Sequence, residues 1–166
     1  MEDNVLQKVT EPEIDELSRL AFDVWTEHYK NILDMGQITY MLNKFQSSQA
    51  IREQQQYDRY EYYWIVDHGT KAGYCAVQPM EDSLFLSKLY LQKEYRGKGL
   101  ARRTLQELED RCRKDGFPKI WLTVNRNNPS VNVYDSLHFT KAREQVADIG
   151  NGYVMDDYIM EYFIKK

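Results

Sequence analysis

Between residues 84 and 112 the chain sets two glycines and a group of cations where a strand gives way to a helix. Gly97 and Gly99 bracket Lys98, with Arg96 before them and Arg102 and Arg103 just after. Upstream, residues 84–91 are apolar or aromatic on both sides of the pleat, the pattern of a strand buried between two layers. Downstream, Ala101, Leu105, Leu108 and Cys112 follow at helical spacing, an apolar stripe on an otherwise charged segment. The first N–H groups of a helix lack intrahelical partners, and the macrodipole adds partial positive charge there. Glycines without Cβ atoms let the loop turn sharply and let an anion approach those N–H groups, so the junction suits a diphosphate. Other phosphate loops do not fit. GxxxxGK[ST] fails because Gly99 follows Lys98, and GxGxxG fails because Arg102 stands where its last glycine belongs. On glycine and charge alone, a plain strand-to-helix turn with a solvated basic face stays open beside the diphosphate cradle.

Two stretches carry a family resemblance. Arg96-Gly97-Lys98-Gly99-Leu100-Ala101 resembles the (Gln/Arg)-x-x-Gly-x-(Gly/Ala) signature of the GNAT superfamily of acetyl-CoA-dependent N-acetyltransferases. Downstream, residues 127–139 resemble the family's Asn-x-x-Ala-x-x-x-Tyr-x-x-x-Gly-Phe segment, with Asn127, Tyr134 and Phe139 in register. Ser130 replaces the alanine and His138 the glycine. That glycine ends a short helix in a left-handed conformation, which histidine tolerates less readily. The likeness covers residues 84–139 well, and the flanks agree in their pattern of elements.

The resemblance implies an α/β (α+β) GNAT fold: a mixed, mostly antiparallel sheet flanked by helices, with a central parallel pair of strands that splay apart. Acetyl-CoA, as co-substrate, lies in the cleft between them. Carried over residue by residue, Leu89, Tyr90 and Leu91 run beside the pantetheine and acetyl group, pairing through the main chain. Arg96, Gly97, Lys98, Gly99, Leu100 and Ala101, with Arg102 close behind, hold the diphosphate. Asn127 lies beside the cofactor. Tyr134 falls where many members place the acid that protonates the departing thiolate. A thiol near pKa 8.5 and a phenol near 10 make such a transfer feasible; an aromatic core residue is the alternative. Main-chain N–H groups near residues 89–91 are candidates to polarise the thioester carbonyl.

The general base is less legible. An amine acceptor is protonated at neutral pH and must lose a proton before attack. Residues 84–91 contain no carboxylate. Glu81, Asp82, Asp156, Asp157 and a water chain are the open candidates, and His28 is either a residue of the acceptor groove or a partner for a helix C-terminus. Lys88 is expected to point out of the sheet. Within the superfamily, ADIGNGYVMDDYIM near the end resembles small-amine or polyamine acetyltransferases, which makes a small-molecule amine the expected acceptor. A peptide N-terminus, a lysine side chain or an aminoglycoside remains open, as does a rival of another class, a non-catalytic acyl-CoA-binding regulatory module. Family members are often dimers, so a homodimer is an expectation too.

Bulk properties narrow the rest. The 166 residues suit a single domain, 1–166, without linker or repeat. With 22 Lys+Arg against 26 Asp+Glu the formal net charge is −4, a poor balance for a nucleic-acid binder. Cys75 and Cys112 are isolated, and the sequence offers no CxxC or His cluster for a metal. The opening residues are too polar for a signal peptide, and no apolar run nears the roughly 20 residues of a membrane span. The cytoplasm is the expected location. Hydrophobic periodicity and turn residues place strands at 5–9, 60–67, 72–77, 119–125, 140–148 and 153–164 around the central strand. Helices are expected from the Thr10 capping box towards residue 29, from 38 on towards 56, over the signature helix and over 129–137, with Asn128 as a cap.

Overall fold

The computed structural model describes residues 4–165. Among these residues, seven strands form one sheet in the order β1-β2-β3-β4-β5-β7-β6. They are β1 (Leu6–Lys8), β2 (Glu61–Asp67), β3 (Thr70–Pro79), β4 (Leu84–Leu91), β5 (Lys119–Asn125), β6 (Thr140–Gly150) and β7 (Tyr153–Phe163). The helices are α1 (Ile14–Tyr29), α2 (Met35–Phe45), α3 (Ser48–Tyr57), α4 (Leu100–Asp115) and α5 (Ser130–Ser136). Every neighbouring pair is antiparallel except β4 and β5, which are parallel, as expected for strands joined across a helix.

That parallel pair is brief. Only Leu84↔Ile120 and Phe85↔Trp121 face each other in register, although β4 runs on to Leu91 and β5 to Asn125. Beyond Phe85 and Trp121 the two strands part. On its other edge β4 stays paired with β3 as far as Gly73↔Leu91. Ala76 faces Lys88 while Val77 faces Leu86, so Ser87 is an extra residue, and a bulge of this kind bends and twists the strand that carries it.

The two faces of the sheet are covered by different helices. Leu100, Leu105, Leu108 and Cys112 of α4, with Val131 and Tyr134 of α5, pack on Cys75, Leu86, Ile120, Leu122 and Val124. On the opposite face, Ile14, Leu17 and Ala21 of α1 and Ile51 of α3 meet Tyr62, Trp64 and Tyr74. Trp25 and Tyr29, further along α1, pack on Ile38, Met41 and Leu42 of α2. Strand alternation sorts the side chains: Leu89 packs with the α4 face and Tyr90 with the α1 face.

The second helix of the sequence reading is two helices. Gln46, fully buried, interrupts it, donating from Nε2 to the Tyr62 hydroxyl at 3.0 Å and accepting from the Tyr74 hydroxyl at 2.6 Å. Its carbonyl accepts from Ser18 Oγ at 2.7 Å. A buried amide is held wherever its partners are, so the backbone leaves the helix there (φ −130°) and Ser47 starts a new one by accepting from Ala50 N. His138 takes a left-handed φ of 72° at the end of α5, the conformation its place in the glycine position demands.

Candidate active site

The gap between β4 and β5 opens into a cavity of about 320 Å³ on the α4 face. Leu89, Tyr90 and Leu91 form one wall and the loop from Arg96 through Gly97 and Gly99 to Leu100, Ala101 and Arg102 forms its mouth. Tyr134, Ser130, Val133 and Leu137 of α5 and its approach close the other side, and His28 reaches in from α1. Ten of the twelve residues expected at the site therefore share one cavity. The two others do not line it. Lys98 turns away, 5.2 Å above the Tyr95 ring and 3.8 Å from Asp67 Oδ2. Asn127 is exposed, its N–H donating to Asn125 Oδ1.

It is the neighbouring asparagine that faces inward. Asn128 is 5 % exposed, and its Oδ1 accepts from Ser130 N at 2.8 Å, as the sequence reading expected of a helix cap, and from His28 Nε2 at 3.0 Å. The backbone donor identifies the amide oxygen, so His28 carries its proton on Nε2. Burial lowers the His28 pKa, its largest influence, so the ring is neutral at pH 7. The ring packs edge-on against Tyr29 and Tyr90 at 5.1 and 5.6 Å.

The loop has the features of an anion cradle. Gly97 and Gly99 have left-handed φ of 78° and 80°, and a Cβ at either would meet open space. Gly99 is the N-cap of the sixteen-residue α4 and offers no side chain to the first N–H groups of the helix. Arg102 contributes a cation at the mouth. Arg96 is held by Glu27 of α1, Nη2 to Oε2 at 2.7 Å, and donates from Nε to the Leu91 carbonyl at 3.1 Å.

Tyr134 stands where the cavity meets the gap. It is 8 % exposed, packs edge-on against Phe139, and also lines a small space of about 30 Å³ between the parted strands with Lys88, Asn128 and Tyr29. Burial raises its pKa, so the phenol keeps its proton throughout the neutral range. Its hydroxyl has no hydrogen-bond partner among the described residues. On the α1 face of the gap, Tyr29 and Tyr90 join their hydroxyls at 2.9 Å.

Lys88, expected to point out of the sheet, is only 9 % exposed. Its ammonium rests over Tyr60 and Tyr62, bonds Ser87 Oγ at 2.8 Å, and faces no carboxylate among the described residues. Burial alone pushes its pKa down to about 7.

Comparison with known proteins agrees with this fold. Residues 23–139 match the acetyltransferase (GNAT) family, and the chain belongs to it. Members of this family use acetyl-CoA. A curated relative, the [ribosomal protein bS18]-alanine N-acetyltransferase of Escherichia coli K12, is 29% identical over 86 residues, a match spanning 51% of this chain and 58% of that protein. Among solved structures, the PaiA N-acetyltransferase of Thermoplasma acidophilum, in complex with coenzyme A, shares the fold with a TM-score of 0.73 at 21% identity over 95% of this chain and 97% of that one. The ribosomal-protein-S18-alanine N-acetyltransferase of Escherichia coli does so at 0.68 and 20%, over 99% and 96%. The residues present suit acetyl-CoA: a glycine-rich helix start for the diphosphate, an apolar wall on β4 for the pantetheine and a protonated phenol at the inner end.

Proposed function

We propose that this chain transfers the acetyl group of acetyl-CoA to a primary amine, by direct attack of the amine while both substrates are bound. The observation that carries this reading is the convergence of the Gly97–Gly99 loop, the parted edge of β4 and the Tyr134 hydroxyl on a single cavity. Bound acetyl-CoA would supply an activated thioester at the inner end of the cleft. The main chain of Gly97 to Arg102 holds and neutralises the diphosphate, and Leu89 to Leu91 offer an unpaired strand edge along which an extended amide chain lies in register. Tyr134 supplies a proton to the thiolate as the C–S bond breaks. Cys75 and Cys112 are buried, with pKa values raised by that burial, so neither is a nucleophile and a covalent enzyme intermediate has no support.

The acceptor is a primary amine of a small molecule in the first reading, on the resemblance of the final hairpin. A peptide α-amine is the second, favoured by the match to the bS18-alanine N-acetyltransferase. Release of free CoA thiol from acetyl-CoA, measured across diamines, polyamines, aminoglycosides, amino acids and alanyl peptides, separates them: saturable turnover with one class assigns the acceptor. Coenzyme A binding by calorimetry with no turnover on any amine would sink the enzyme reading in favour of a non-catalytic acyl-CoA-binding module.

A further inference from the structure

The reaction proposed above needs a group that accepts a proton from the incoming ammonium, and one side chain on the α1 face of the sheet is built for it. Asp157 lies in β7, opposite Asn125 of β5 and Gln145 of β6. It shares a face with Met155, which packs on the Trp25, Tyr29 and Ile38 cluster, so it looks towards α1 and not towards α4. It is 7 % exposed, and its Oδ1 is buried without a hydrogen-bond partner among the described residues. Buried carboxylates are normally paired, because removing a charge from water without compensation is costly. Asp157 therefore stands where a cation from outside the chain would complete it.

Its surroundings say what kind of cation. The Asp157 charge acts on Tyr29, raising that phenol to about 12 together with the larger effect of burial. Tyr29 bonds Tyr90, and both lie within ring contact of Trp25 and His28, with centroids 5.1–6.3 Å apart. Aromatic faces beside a lone carboxylate suit an alkylammonium, which gains from both. Tyr29 also borders the space between the parted strands that Tyr134 enters from the other face.

We propose that Asp157 receives the ammonium of a primary aliphatic amine on the α1 face and takes the proton it must lose before attack. This rests on the acetyltransferase reading. R–NH3⁺ gives one proton to the Asp157 carboxylate, and the free nitrogen pair forms the C–N bond as the C–S bond breaks. Tyr134 gives its proton to the departing sulfur and is restored by the second proton of the nitrogen, while Asp157 releases its own to solvent. The products are amide, CoA thiol and one proton.

Burial, with a smaller contribution from Asp156, raises Asp157 to about 6, so it is ionised at pH 7 yet basic enough to share a proton. Among the described residues, the titratable or charged groups that act on it are Tyr29 from α1 and, from the opposite face of its own strand, Asp156. Arg126, after β5, is occupied by Asp156 and by Glu144 of β6, each at 3.1 Å. On β4, Tyr90 holds its proton and Lys88 titrates near 7.

The test is the pH dependence of kcat/KM for Asp157→Asn with a diamine and with an alanyl peptide, which also separates the two sources of the amine. The parent should be nearly flat from about pH 6.5 to the pKa of the amine, because it binds the ammonium and deprotonates it in place. Asp157→Asn should use only the free amine. At pH 7 it falls by about 10²-fold or more with the diamine and by about tenfold with the alanyl peptide, whose α-amine titrates near 8, then recovers about tenfold per pH unit up to the pKa of the amine, with coenzyme A affinity unchanged by calorimetry. The same contrast should persist in a Lys88→Met background, which excludes titration of Lys88 as its source. A variant with the parent's rate and profile, or one uniformly slow at every pH, overturns the proposal while leaving the acetyltransferase reading standing. A parent with no turnover on any primary amine overturns both.

Discussion

Gly99→Ala and Gly116→Ala form a matched pair that separates backbone strain from ligand contact. The two glycines cap opposite ends of α4, with φ of 80° at each and ψ of 10° and 21°. A Cβ built on either meets nothing within 4 Å. Alanine in this left-handed region costs about 1–2 kcal/mol whatever surrounds it, and neither site adds a clash. Both variants should therefore melt about 2–8 °C below the parent, at about 2–4 °C per kcal/mol for a chain of this size. Coenzyme A affinity should divide them. Gly99 lines the cavity and Gly116 does not. Under the proposed function, a methyl group at Gly99 would stand in the open space at the cavity mouth that the diphosphate needs beside the start of α4. Hydrogen bonds to charged groups contribute about 1.5–3 kcal/mol each, so weakening one or two raises Kd by about ten- to a hundredfold. Thermal unfolding followed by circular dichroism gives the first quantity and titration calorimetry with coenzyme A the second. Equal Kd values for the two variants would refute the cradle. Unequal melting shifts would refute the equivalence of strain on which the comparison depends.

Replacing Tyr134 with phenylalanine should lower kcat about 10²-fold or more and leave coenzyme A binding intact; a change of less than threefold in steady-state turnover removes Tyr134 as the acid. Glu27→Gln should release Arg96 from its half-exposed ion pair and tighten coenzyme A about two- to threefold, the scale of a surface pair, with the gain shrinking as salt is added in calorimetry. Lys88→Met should stabilise the protein at pH 7 by about 4 kcal/mol, from a folded pKa of about 7 against 10.5 unfolded. The sign follows from the depressed value: the unfolded chain binds the extra proton, so the parent gains stability as pH rises from 7 towards 10.5. The variant lacks that slope in denaturant melts at pH 7 and 9.5, and parallel pH dependences would show that Lys88 is charged and solvated in the folded protein.

The loop proposed for the diphosphate was legible because its determinants are local. A glycine needed at a left-handed turn, the start of an amphipathic helix and cations beside it all lie within a dozen residues, and the structure realises them in the order they are written. The boundary of β5 at Lys119 and Asn125 was readable for the same reason, with stop signals at Gly116 and Pro118 just ahead. Where a contact from elsewhere decides, reading failed or stalled. The polar run after Phe45 reads as continuing helix, yet Gln46 is claimed by Tyr62 and Tyr74 from the sheet and the helix ends. Ser47 was the local clue, an N-cap residue at the break. Asn127 and Asn128 are adjacent and chemically identical; only the direction of the chain leaving β5 turns the second one inward to His28. Among the four carboxylates open as bases, strand alternation assigns Asp157 a face, but what covers that face depends on α1, far away in sequence.

The same division explains why β4 is the fixed wall of the cleft. Its pairing with β3 extends to Leu91, and at Gly73 the approach is so close that a Cβ would lie 2.0 Å from the Tyr90 carbonyl oxygen. Only glycine fits there, so Gly73 holds the far end of β4 against β3 while the extra residue at Ser87 turns the strand away from β5. The bulge alone would leave a frayed strand end, and close pairing alone would leave β5 in register and the gap shut. Together they present a strand edge that has no partner strand beyond Phe85, on a backbone that is already held on its other side. Under the proposed function, such an edge would offer fixed donors to a thioester carbonyl without reorganising as charge develops on the oxygen. The shape of the cleft thus depends on β3, a strand that contributes no side chain to the cavity.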